Sequence, residues 1–174
     1  MKKYILIVAI AILAFNAKAQ KLEKPRIDKI TGDTTFSTKT EVLSNPFALI
    51  QHALTVDVLK TKNFTLLCFH LKDALDIYYS VFKGDGATIK FADGKLLNIN
   101  AAADAHSSVL GSGGTLTYVG NDVYYDLTDQ DIALLKSDKI AVIRINTTKG
   151  PFDYDIKNGK SEIIKKQLEL IIKK

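Results

Sequence analysis

The chain has 174 residues, 47% of them hydrophobic and 25% charged, with 24 lysines and arginines against 19 aspartates and glutamates and a formal net charge of +5. It holds three histidines, one cysteine and no tryptophan. A lone cysteine excludes an internal disulfide, so the fold must rest on apolar burial, and the length is enough for one core.

Met1-Lys2-Lys3 makes a positive start, Tyr4 to Phe15 is an uncharged apolar run of 12 residues, and Ala17-Lys18-Ala19 is an A-x-A cleavage signature before Gln20. Together they predict a secretory signal peptide over residues 1–19. A helix crossing ~30 Å of hydrocarbon needs ~20 apolar residues. The run is too short to be a span, and no later segment is long or apolar enough, so no membrane span is expected after signal cleavage. The only cysteine, Cys68, lies far from Gln20, which argues against a lipidated mature N-terminus. The signal holds Lys2, Lys3 and Lys18 and no acid, so residues 20–174 carry 21 basic and 19 acidic residues, a net +2. Interspersed charge at that balance gives no broad footprint for nucleic acid or an anionic surface. One β-rich domain over 20–174, secreted or periplasmic, is the expectation.

In chain order, Arg26 to Thr31 and Thr34 to Thr40 flank Gly32-Asp33 and predict a threonine-rich hairpin at a sheet edge. Asn45-Pro46 breaks the chain. Phe47 to Leu59 mixes helix and strand signals, with strand favoured for Leu54 to Leu59. Phe64 to Leu71 and Ile140 to Ile145 are apolar on both strand faces, which predicts central strands covered on both sides. Ile77 to Phe82, Thr88 to Phe91 and Leu96 to Asn100 read as strands, the last two joined at Asp93-Gly94 so that Ile89, Phe91, Leu97 and Ile99 face inward. Ala101 to Gly114 reads as a loop, and Thr115 to Val119 with Val123 to Leu127 as a second hairpin across Gly120-Asn121-Asp122. Thr128 caps a short helix near 129–136, with Asp131 completing an approximate capping box. Ser161 to Lys174 carries Ile164, Leu168, Ile171 and Ile172 on one stripe, with Glu162 four before Lys166, and predicts a C-terminal amphipathic helix. The class is α+β, β-rich, mainly antiparallel sheet or sandwich.

Each chemical constellation has a plainer reading. Cys68 and His70 are two apart on a strand and share a face, half of a metal site. With His52 and His106 in unrelated contexts, no zinc spacing forms, so a buried thiol in a packed pair is favoured and no metal or cofactor is expected. Ser107, Ser108 or Ser112 with His106 or His70 imitates a nucleophile and base, but no strained elbow holds them, and a solvated loop is favoured. Gly111-Ser112-Gly113-Gly114 lacks the G-K-[ST] ending of a phosphate cradle and reads as a connector. Gly84-Asp85-Gly86 and Asn121-Asp122 lack calcium-loop spacing and read as turns. Tyr78-Tyr79 and Tyr124-Tyr125 place one ring on each strand face, so one of each pair is available as a stacking surface for a sugar or peptide. Arg144, on a central strand, is either half of a structural ion pair or a site marker.

Three stretches, Thr31-Gly-Asp-Thr-Thr-Phe-Ser-Thr38, Ile89-Lys-Phe-Ala-Asp-Gly94, and Asp126-Leu-Thr-Asp-Gln-Asp-Ile132 followed by Ile140-Ala-Val-Ile-Arg-Ile-Asn146, resemble a class of small, uncharacterised secreted bacterial proteins. The resemblance implies an extracytoplasmic β-rich domain and transfers no catalytic or binding residue. With no catalytic constellation, the expectation is a non-enzymatic binding or interaction domain for a protein, peptide or glycan of the cell envelope. The alternatives are a small hydrolase or metal-dependent enzyme, and an envelope structural or assembly protein pairing through the Arg26 to Thr40 ribbon.

Overall fold

The computed structural model describes residues 20–44, 53–73, 78–113 and 116–173. The predicted signal peptide, Asn45-Pro46, residues 47–52 with His52, Ile77, Gly114 and Thr115 lie outside them. In chain order the strands are β1 (Arg26–Ile27), β2 (Thr34–Ser37), β3 (Glu41–Ser44), β4 (Ala53–Lys60), β5 (Thr65–Asp73), β6 (Ser80–Val81), β7 (Gly86–Phe91), β8 (Leu96–Asn100), β9 (Ala105–His106), β10 (Ser108–Gly113) and β11 (Leu116–Asp126). They are followed by α1 (Asp129–Ser137), β12 (Ile140–Thr147), β13 (Gly150–Asp155) and α2 (Ile163–Ile171).

Among the described residues the chain is β-rich, with curled antiparallel sheets and two helices. One sheet runs β1-β2-β4-β5-β11-β10, with β3 also paired to β4. A second runs β13-β12-β7-β8, and β6 with β9 forms a short ribbon. The two larger sheets meet where Ala101, just past β8, bridges to Tyr125 of β11. One hydrophobic cluster draws on both sheets and both helices, with Phe69, Tyr125, Ile143, Leu135 and Leu168 all removed from solvent.

Local chemistry explains most elements. At the tip of the first hairpin, Asp28 Oδ1 accepts from the backbone N–H of Ile30 and Thr31, and Gly32 takes φ 75°. The turn is therefore one residue set wider than Gly32-Asp33, because the aspartate holds the four residues that follow it. The Asp93-Gly94 turn forms as expected, with Gly94 at φ 90°, and Ile89, Phe91, Leu97 and Ile99 are buried. Thr128 and Asp131 make the full reciprocal capping box of α1. In α2, Ile164, Leu168 and Ile171 are buried and Glu162 pairs with Lys166 at 3.6 Å.

Four expectations are corrected. Gly120-Asn121-Asp122 is not a hairpin turn but the middle of the continuous strand β11, since Val119 to Asp126 lie opposite Asp73 to Leu66 of β5 without interruption. A Cβ on Gly120 would overlap the Leu110 side chain as it stands, so any larger residue there would push that side chain aside. Ala101 to Gly114 is not one loop: it holds β9 and β10, the latter paired to β11 with a bulge at Leu110. Its small polar residues form an edge strand because β11 offers them an unpaired backbone. Of the described part of the Ile77 to Phe82 segment, residues 78–82, only Ser80–Val81 is strand, paired to β9. Ile140 to Ile145 is central, between β13 and β7, but only one of its faces is covered. Arg144 is on the open face, and it forms a bidentate pair with the directly opposite Asp153 at 2.6 Å for each contact. That is an exposed cross-strand ion pair, the first of the two readings of Arg144.

A gap on the outer edge of β4, between β2 and β3, shows how α2 is tied down. Thr38 exchanges backbone and side-chain hydrogen bonds with Val58, and Gln167 Nε2, fully buried, donates to Lys39 O at 3.0 Å and Val56 O at 3.2 Å. Gln167→Leu leaves both carbonyls facing an apolar side chain, and it is expected to lower unfolding free energy by about 1–3 kcal/mol in urea titration. An unchanged midpoint would show that the amide only fills space.

Candidate functional site

Strand alternation places β4, β5 and β11 residues in two kinds of cross-strand row. Leu54, Leu71 and Asn121 form one row, and Val56, Phe69 and Val123 the next; all six point into the core. The rows between them face the other way: Thr55 with His70 and Asp122, and Asp57 with Cys68 and Tyr124. Residues 52 positions apart thus become neighbours through register alone, since directly opposite side chains sit about 4.5–5.5 Å apart.

His70 is the centre of this outer face. Its Nε2 makes a short contact with Asp57 Oδ1, and its Nδ1 lies 2.7 Å from Asp122 Oδ1. A carboxylate only accepts, so a ring flanked by carboxylates at both nitrogens is a doubly protonated imidazolium donating on both sides. Burial opposes that charge, and the hydrogen bonds to Asp57, Cys68 and Asp122 outweigh it, raising the pKa to about 11. Asp57 is buried and Asp122 exposed, with side chains 10% and 61% accessible. The ring is therefore anchored from below and open above.

Cys68 Sγ lies 3.9 Å from His70 Nδ1. The thiol is fully buried, and burial pushes its pKa up despite the neighbouring histidine. A protonated sulfur with no solvent access does not attack a substrate from this position, so a cysteine-nucleophile reading is set aside. The Cys68 sulfur, followed by burial, pushes the Tyr124 hydroxyl up to about 12.

A cleft of about 360 Å³ opens over this face, lined among others by Val42, Thr55, His70, Lys72, Leu110 and Asp122. Its size falls in the range of small-ligand sites. Its rim has apolar patches, with Val42 39% and Leu110 58% exposed. A more open cleft of about 450 Å³ runs between the β4–β5 turn and α1, with Lys60, Lys62 and Lys136 in its wall. Its described lining residues include no histidine or cysteine, which directs attention to the smaller one.

The other singled-out residues fall elsewhere. His106 is in β9 and not in a solvated loop, with Nδ1 2.8 Å from Ser80 Oγ and its ring edge-on to Phe82. Ser107 Oγ accepts from Tyr79 N at 2.8 Å, a structural bond, and the partners described for His70 are Asp57, Cys68 and Asp122. Gly111 and Gly113 belong to β10, not to a connector. Asp85 Oδ2 accepts from Phe82 N, which is turn chemistry. Tyr79 and Tyr125 are buried as expected of alternating rings, while Tyr78 is exposed and Tyr124 lies half-buried on the His70 face.

The expected Cys68 and His70 pair is real, but two of its partners, Asp57 and Asp122, were missed. Asp57 had a signal: it is a charge in the middle of the apolar strand Ala53–Lys60. Asp122 was hidden inside an apparent turn. No protein-family model, no curated protein and no solved structure matches this chain.

Proposed function

We propose that this chain is an exported, non-enzymatic binding domain of the cell envelope, and that the cleft over His70 and Asp122 is its ligand site. The carrying observation is the braced imidazolium on the floor of that cleft: a cation fixed by two carboxylates, with exposed Leu110 and Val42 beside it. Polar groups fixed at the base of a partly apolar cleft orient a ligand, and the apolar walls supply the area it buries. Asp122 is open to a donor, such as a sugar hydroxyl or a peptide N–H, and Lys72 to an acceptor. Export rests on the Met1 to Ala19 leader, whose charged start, short apolar run and A-x-A ending fit signal cleavage before Gln20.

Two measurements test this. The full chain expressed in a bacterial host is expected to yield an exported product whose mass begins at Gln20; a cytoplasmic product starting at Met1 refutes export. Thermal unfolding of the purified product against glycans and peptides is expected to give an upward shift for at least one compound, because a ligand of the folded state stabilises it by linkage. That shift is expected to shrink in Leu110→Ser, a change at an exposed rim position. A shift of equal size in the variant removes the cleft as the ligand site.

A further inference from the structure

We propose that Asp57, Cys68 and His70 bind one borderline divalent transition-metal ion, zinc in the first instance, on the face of β4 and β5 where His70 lines the cleft. The inference goes beyond the ligand reading and stands without it, since the three donors meet whether or not the cleft takes a larger molecule.

One donor atom from each of the three residues lies within 4.8 Å of the other two. Zinc holds sulfur at about 2.3 Å and nitrogen or oxygen at about 2.0–2.2 Å in tetrahedral sites, which places ligand atoms roughly 3.3–3.8 Å apart. Shifts of about an ångström suffice: the Cys68 sulfur closes in, and the short His70–Asp57 contact opens to admit the ion. The donor set is one thiol, one imidazole and one carboxylate, a mixture that suits zinc and not the oxygen-only demand of calcium or magnesium.

The support around the ligands is also in place. A metal-bound histidine characteristically gives its second ring nitrogen to a carboxylate, which fixes the ring. Here Asp57 lies at one nitrogen of His70 and Asp122 at the other. With the ion on Nε2, beside Asp57, the Nδ1 nitrogen keeps the Asp122 carboxylate. Asp57 and Cys68 are directly opposite on β4 and β5, and Cys68 and His70 are two apart on β5, so three central strand positions hold the donors on a rigid scaffold. The three residues leave the fourth position of a tetrahedral ion to a water molecule or another exchangeable ligand. A closed structural site has four protein ligands, whereas three with an open position leave room for an exchangeable fourth.

The test uses the purified protein, stripped with chelator and titrated with cobalt(II), whose bond to a thiolate gives a charge-transfer band in the near ultraviolet. One equivalent is expected to produce that band, and zinc is expected to displace it. Cys68→Ser is expected to abolish the band, and His70→Gln to weaken binding by at least 100-fold. Asp122→Asn, at an exposed position that the fold does not need, is expected to weaken it about 10–100-fold, the usual effect of losing an outer carboxylate. Circular dichroism checks that each variant is folded. Absence of the band in the unsubstituted protein overturns the proposal, as does undiminished cobalt affinity in Asp122→Asn together with a band that survives Cys68→Ser. Leu110→Ser, which tests the cleft ligand, is expected to leave the cobalt titration unchanged, so failure of one reading does not pass for failure of the other.

Discussion

Phe69→Ala is expected to be among the most damaging core truncations, lowering unfolding free energy by about 3–5 kcal/mol. Phe69 is fully buried at the middle of β5, between Val56 of β4 and Val123 of β11, and it packs edge-to-face on Tyr125 with ring centroids 5.7 Å apart. Three central strands and the fixed Tyr125 ring surround the site, so it cannot collapse inward to close the cavity. The change therefore loses the transfer free energy of the ring and adds a cavity cost. Urea titration of the substituted and unsubstituted proteins gives the difference directly. Leu96→Ala, 58% exposed on β8, is the control and is expected to change stability by less than about 0.5 kcal/mol. Similar costs at both positions would mean that Phe69 is not at the packed centre.

Asp57→Ala is expected to cost about 2–3 kcal/mol at neutral pH in the metal-free chain, because it leaves the half-buried His70 cation without its best-desolvated acceptor. The same pair gives a pH signature. The folded value of His70, about 11, lies above its unfolded value near 6.5. The stabilisation is therefore complete below about 6.5 and is lost as pH rises towards 11, since across that window the folded state binds a proton that the unfolded state has released. Unfolding free energy of the metal-free chain is expected to fall between pH 7 and 10, and the fall is expected to flatten in Asp57→Ala. A flat profile in the unsubstituted protein would show that the imidazole is neutral when folded. Asp122→Asn is expected to affect stability much less, because its exposed carboxylate is well solvated in either state.

Periodicity and turn chemistry alone determined the β-rich character, the Asp93-Gly94 hairpin with its inward residues, the Thr128 capping box and the apolar stripe of the last helix. Each depends on residues within about six positions of one another, where backbone geometry dictates which side chains share a face. The same logic put Cys68 and His70 together, two apart on one strand. What it could not give was anything set by strand pairing. Gly120-Asn121-Asp122 has the composition of a turn, yet it lies straight because β5 pairs along its whole length and Leu110 occupies the space above the glycine. Arg144 lies in an apolar run, yet it is exposed because only one face of β12 is covered. The site itself depends on register: Asp57 and Asp122 come to His70 from strands on either side, and a slip of one residue in either pairing would turn its carboxylate into the core. Cross-strand register is fixed by the burial of the opposite face, by Val56, Phe69 and Val123 meeting in the core, and that is a property of the assembled sheet and not of any local stretch of sequence.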